Sequence, residues 1–237
     1  MTRSIAFAVV LALGAASVSQ SAAAAPVIQV VTVKVNPGML EQYRQETKKL
    51  QGVLTRLGSK GQMRLWNTTA GGTDTGTILV GVEYPDQASW AADAPRMQAD
   101  AEWKKIVAGL ATVRTVLSTS IWRDISPSPS ASAAGPVLVI TGAEVKPGKL
   151  DEYRKRVGAA RAISERLGVK GRLRMWRAEL AGPETGAVAV GLEYPDLATY
   201  VADQDKLAAD AEWQGLLSGL DELRTPTGRW LYQEITP

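Results

Sequence analysis

The chain lies on itself. Shifted by 110 residues, Val27 to Ile125 aligns with Val137 to Ile235 without a gap, and about a third of the aligned positions are identical. Pro37-Gly38 meets Pro147-Gly148, and Arg64-Leu65-Trp66 meets Arg174-Met175-Trp176. Gly81-Val82-Glu83-Tyr84-Pro85-Asp86 meets Gly191-Leu192-Glu193-Tyr194-Pro195-Asp196. Asp100-Ala101-Glu102-Trp103 meets Asp210-Ala211-Glu212-Trp213. Whatever the first half folds into, the second half must also fold into. Residues 126–136 are Ser, Pro, Ala and Gly alone. A segment so poor in apolar bulk reads as a semi-extended linker. The expected organisation is a signal peptide over 1–25, a repeat over 26–125, a linker over 126–136 and a second repeat over 137–237.

The leader reading rests on Arg3, the apolar run Ile5 to Leu13, and Ala22 to Ala25, which fit a charged start, a short hydrophobic stretch and a small-residue cleavage site. The run is too short to span a bilayer. An exported protein, periplasmic or extracellular, with no membrane attachment after cleavage, is expected.

Each half alternates two kinds of periodicity. Val27 to Val35 is rich in β-branched residues and reads as a strand. Leu40, Tyr43, Thr47, Leu50, Leu54 and Leu57 recur at helical spacing and stop at Gly58. Lys60 to Asn67 and Thr75 to Tyr84 read as strands joined by a turn containing Gly71, Gly72 and Asp74. Asp86 and Asp100 are placed to cap two short helices. Val113 to Ile125 reads as the last strand. The order β-α-β-β-α-β is the ferredoxin-like pattern, whose sheet has helices on one face and needs a partner on the other. The predicted fold class is therefore α+β: two tandem ferredoxin-like repeats, sheets facing each other and helices outside, in a monomer with pseudo-dimeric halves.

The pattern resembles the dimeric α/β-barrel superfamily, close to antibiotic-biosynthesis-monooxygenase and NIPSNAP-like domains. The Pro-Gly turn before a Tyr-bearing helix, the Glu-Tyr-Pro-Asp segments, the Asp-Ala-Glu-Trp segments and the closing strands with Trp122 and Tyr232 carry the likeness. It implies an intramolecular dimeric α/β barrel. It also implies a choice of functions, from cofactor-independent oxygenation to haem degradation or none, because one fold hosts many chemistries.

Composition narrows that choice. The chain of 237 residues has no histidine and no cysteine. A Ser-His-Asp triad, a cysteine nucleophile, a thiolate metal site and a His-ligated haem are excluded. The net charge is +3 with basic residues scattered among acids, so no nucleic-acid partner is expected. No cofactor and no metal are predicted.

Strand alternation sorts the remaining candidates. Arg64 and Trp66 share one face, Leu65 and Met63 the other. Ile78, Val80, Val82 and Tyr84 face the helices, leaving Thr77, Gly81 and Glu83 on the opposite side. Arg64, Trp66, Glu83, Arg174, Trp176 and Glu193 are thus predicted to line the space between the sheets. Two readings stand. The tryptophans could stack on a small aromatic or anionic ligand, with the arginines binding its carboxylate or phenolate and a glutamate acting as base. Or Arg and Glu could pair across a filled interior. Trp103 and Trp213 read as core anchors, and Asn67 falls on the Leu65 face. The leading expectation is a non-catalytic binding or interaction module; the alternative is a cofactor-independent monooxygenase acting on a phenolic substrate.

Overall fold

The structure, a computed structural model, describes residues 25–127 and 135–235. The predicted leader and most of the linker lie outside those residues.

The first half contains β1 (Val27–Val35), α1 (Leu40–Arg56), β2 (Gln62–Ala70), β3 (Ile78–Tyr84), α2 (Gln87–Ala99), α3 (Ala101–Leu110) and β4 (Arg114–Asp124). The second follows the same order with β5 (Val137–Val145), α4 (Leu150–Arg166), β6 (Arg172–Leu180), β7 (Val188–Tyr194), α5 (Leu197–Ala209), α6 (Ala211–Ser218) and β8 (Arg224–Glu234). Among the described residues no helix is long and apolar enough to cross a membrane.

All eight strands form one closed antiparallel barrel in the order β1-β3-β2-β8-β5-β7-β6-β4. This refines the expectation of two sheets lying face to face. β2 pairs with β8, Trp66 opposite Glu234, and β4 pairs with β6, Asp124 opposite Trp176. The two halves are therefore joined by backbone hydrogen bonds at both seams, and closure removes the outer sheet edges there.

β1 shows why the strands are apolar on both faces. Val33, with Val31 and Val35 at its margin, packs against Tyr43, Leu50 and Val53 of α1. Ile28, Val30 and Thr32 point the other way and line the barrel interior. The helix layer of the second half is equivalent: Met175 and Val188 pack against Tyr153, Val157 and Ile163. Trp103 and Trp213 pack against these two cores, as expected of anchors.

Local chemistry sets the element ends. Asp86 accepts from the Ser89 N–H at 2.6 Å, and Asp100 from the Trp103 N–H at 2.9 Å, capping α2 and α3. Gly58 ends α1 with a φ of 63°, a left-handed value that glycine adopts without a Cβ clash. β2 starts at Gln62, two residues later than expected. The Lys60 N–H bonds the buried Asp93 carboxylate at 3.0 Å and the Gly61 N–H bonds Ser59 Oγ at 2.9 Å, so neither joins a ladder. β3 starts at Ile78, three residues late, because the Gly76 and Thr77 N–H groups close the preceding turn onto Thr68 and Asp74. Leu40 is 46% exposed and does not join the α1 core stripe, since it is the first residue of the helix.

The ends of the predicted linker are not loose. Ser126 is buried; its N–H bonds Asp124 Oδ1 at 2.8 Å and its Oγ accepts from the Met175 N–H at 2.9 Å. Gly135 is buried too, so close to the Tyr194 backbone that a Cβ would lie 2.6 Å from its oxygen.

Candidate functional site

The barrel holds a cavity of about 870 Å³ that is open to solvent. That is within the usual size of a small-molecule site. Arg64, Trp66, Glu83, Arg174, Trp176 and Glu193 all line it, so the strand alternation brings the six predicted residues to one space. Asn67 and the tryptophans of α3 and α6 are not among its walls. Of the reading with a paired and filled interior, the Arg–Glu pairing across the barrel is present, while space remains between the sheets.

Arg64, Glu83, Arg174 and Glu193 gather at one end, where β2 and β6 begin and β3, β4, β7 and β8 finish. The pairing crosses between halves. Arg174 holds Glu83 through two hydrogen bonds, Nη2 to Oε1 at 2.6 Å and Nη1 to Oε2 at 3.1 Å. It also donates from Nε and Nη2 to Asp124 Oδ2, at 3.1 and 2.8 Å. Arg64 grips Glu234 from Nε and Nη2 at 3.0 and 2.7 Å, donates to the Gly135 carbonyl at 2.9 Å, and reaches Glu193 Oε1 at 3.3 Å. Each guanidinium also stacks over the tryptophan two residues on, 4.6 Å from Trp66 and 4.9 Å from Trp176.

Both arginines are therefore held by the protein's own carboxylates. This corrects the expectation that they await an anionic ligand. Bidentate Arg–carboxylate geometry is strong and directional, and a ligand anion would have to displace it. Asp124 and Glu234 went unnoticed in the strand pattern. They stand 110 residues apart, an acid ending each last strand, and that coincidence was the available signal.

The two clusters set four carboxylates against two guanidiniums. The imbalance falls on Glu193. It is 5% exposed, and its Oε2 has no hydrogen-bond partner. Burial raises its pKa above the ordinary value; Arg64 and Arg174 pull it down, and the nearby Glu83 adds to the rise. Arg174 shows the reverse balance. Burial works against its charge, but hydrogen bonds and attraction from Glu83 and Asp124 outweigh it and raise its pKa. Beyond this cluster the walls carry Ile28, Val30, Leu138 and Ile140 alongside Trp122, Trp230 and Tyr232, with Asp74, Glu144, Arg177 and Glu184 also among them. Burial and the charge of Asp74 push the Tyr232 phenol well above its usual range, so it stays protonated.

Gly81 and Gly191 make room for the two stacked tryptophans. A Cβ on Gly191 would lie 2.5 Å from Trp176 Cζ3, and one on Gly81 would lie 3.0 Å from Trp66 Cζ3. Gly191→Ala is expected to displace the Trp176 ring and to cost roughly 1–3 kcal/mol as overpacking. Urea denaturation followed by tryptophan fluorescence reads both effects; an unchanged midpoint and spectrum would show the ring is not confined there.

Among the described residues no group of three or more carboxylates is placed to hold a metal ion. Haem, which some proteins of this architecture carry, finds neither of its common axial donors, because the chain lacks His and Cys. The cavity therefore offers that group no His or Cys ligand, and no step is drawn through it.

No family model matches the chain, and no curated protein matches it. Solved structures do. A protein provisionally assigned as a monooxygenase from Fusobacterium nucleatum subsp. nucleatum ATCC 25586 superposes with a TM-score of 0.60 at 12% identity, over 89% of this chain and 93% of its own. An anthrone oxidase-like protein gives 0.54 at 13% identity, over 88% and 91%. A heme-binding protein from Thermus thermophilus gives 0.54 at 8% identity, over 89% and 90%. At such identities the likeness shows the fold alone: an α+β architecture shared with neighbours of the dimeric α/β-barrel, ferredoxin-like superfamily.

Proposed function

We propose that this protein binds a flat phenolic molecule in its barrel and oxidises it with dioxygen, without a cofactor. The two halves stand in for the two subunits of a dimeric barrel, carried on one exported chain. The observation that carries the reading is Glu193. It is a buried carboxylate on the wall of a tryptophan-lined cavity, with one oxygen unpartnered and a raised pKa. A base with those properties suits removal of a weakly acidic proton.

The chemistry balances without a bound redox group. The Glu193 carboxylate takes a proton from a substrate of anthrone type, in which a ring methylene lies between phenolic rings. The resulting carbanion gives one electron to dioxygen, and the radical pair joins at carbon to form a peroxide. Loss of water then leaves a carbonyl. A ring methylene plus dioxygen becomes a ring carbonyl plus water, with every electron drawn from the substrate. Trp176 would stack on the rings. The names carried by structural neighbours, a monooxygenase and an anthrone oxidase-like protein, support this direction.

An oxygen electrode tests it. Wild-type protein with an anthrone-type substrate is expected to consume dioxygen well above the uncatalysed rate, and the Trp66→Ala/Trp176→Ala variant is not. Equal rates for the two would remove the proposal. A second reading, binding without chemistry, is favoured by Arg64 and Arg174, whose guanidiniums are already held by the protein's own carboxylates. Its outcome is substrate bound at the cavity with no uptake above background.

A further inference from the structure

The two seams of the barrel are equivalent in backbone but not in side chains. At the β8–β2 seam stands Trp230; 110 residues earlier, at the β4–β6 seam, stands Ser120. The Trp230 ring lies over two glycines. A Cβ on Gly142 would come within 3.0 Å of it, and one on Gly228 within 2.6 Å. Its Nε1 donates to Asp74 Oδ2 at 2.8 Å, on the turn between β2 and β3, so the ring is pinned across the seam from the other half. It also packs against the cluster of Trp66, Leu138 and Tyr232.

The matching position carries only the small side chain of Ser120. Ser120 Oγ accepts from Trp122 Nε1 at 2.8 Å, which draws the Trp122 indole toward its own strand. On that half of the cavity wall, Ala187 and Ala189 occupy the positions that Thr77 and Leu79 hold 110 residues earlier in the first half. The cavity wall follows this difference. Every residue from Pro183 to Ala189 borders the cavity, whereas of residues 73–79 only Asp74, Thr77 and Leu79 do.

We infer that Trp230 reduces two equivalent ligand pockets to one, and that a flat aromatic ligand sits at the β4–β6 seam between Ser120, Trp122, Trp176 and Ala189. The inference rests on reading the cavity as a ligand site. It makes Trp230 and Ser120 the residues that set stoichiometry and ligand size. Neither takes part in the proton transfer assigned to Glu193. The free space is off-centre because one large ring, seated on glycine and tied to Asp74, fills one side.

Equilibrium dialysis with 2-naphthol, a flat phenol, tests this on the full chain. Wild-type protein is expected to bind one equivalent. Trp230→Ser copies the open seam onto the closed one and is expected to bind two. Ser120→Trp copies the closed seam onto the open one and is expected to bind none. Two equivalents on wild type, one on Trp230→Ser, or retained binding by Ser120→Trp would each overturn the inference, as would no binding by wild type. If one variant fails to fold, the other decides. Oxygen uptake separates this from the oxygenase proposal. Naphthol bound with the expected stoichiometries and no uptake of dioxygen with an anthrone-type substrate removes the chemistry and leaves the single pocket. Anthrone-type turnover unchanged in Ser120→Trp leaves the chemistry and removes the pocket assignment.

Discussion

Arg174→Ala is expected to destabilise the fold by roughly 3–5 kcal/mol, the cost of leaving buried charge without its partner. For a chain of this size that corresponds to a fall of roughly 6–20 °C in Tm. Arg174 is 3% exposed and is the counter-ion of both Glu83 and Asp124. Removing it strands two carboxylates, one of them as buried as itself, in a closed barrel end. Arg64→Ala is expected to cost less, because the Arg64 and Glu234 side chains are 17% and 25% exposed and solvent screens what remains. The loss should be largely restored when Arg174, Glu83 and Asp124 are replaced together by uncharged residues of similar size, since a buried ion cluster adds little over well-packed apolar groups. Differential scanning calorimetry on the three variants checks the order. Equal losses for Arg174→Ala and Arg64→Ala would show that burial does not govern the cluster.

Glu193→Gln is expected to lower the oxidation rate by roughly a hundred- to ten-thousand-fold, the usual contribution of a positioned general base. Stability should behave differently. Folding raises the Glu193 pKa above its ordinary value of 4.5, so the native state favours the protonated form. Its contribution to stability is fully present below that ordinary value and is lost as pH rises through the folded value. At neutral pH the ionised side chain therefore weighs against the fold, and Gln removes the charge while Arg64 keeps its two bonds to Glu234. Glu193→Gln is thus predicted to leave stability at pH 7 within about 1 kcal/mol of wild type or slightly improved, with activity gone. The wild-type rate should climb with pH as Glu193 ionises, at a pH above 4.5. Rate profiles and urea midpoints measured together check this. A variant that loses stability and activity in proportion would make Glu193 a structural ion-pair member only.

Much of this arrangement was readable from residue types, where local chemistry decides. A carboxylate before a helix is a cap wherever it occurs, so Asp86 and Asp100 could be placed. The alternation Arg64-Leu65-Trp66 and Gly81-Val82-Glu83 fixes which side chains share a face regardless of the neighbouring strand. What could not be read is what meets what across the seams. Whether Arg64 faces a ligand or Glu234 depends on β2 pairing with β8, a contact between residues 170 apart in sequence. The late starts of β2 and β3 have the same origin: Asp93, from α2, captures the Lys60 N–H before it can enter a ladder. The cavity itself was legible only as a possibility. Its existence turns on small residues such as Gly142, Gly191 and Ala189, whose effect depends on how large rings are seated around them.

The central claim is that the tryptophan-lined cavity passes oxygen from dioxygen to a bound phenolic substrate, with Glu193 as base. Mass spectrometry of the product formed under isotopically labelled dioxygen tests it most directly. The account predicts one labelled atom in the new carbonyl and the other in water, with label entry lost in Glu193→Gln. Product formed without label, or label entering equally in the variant, would contradict it.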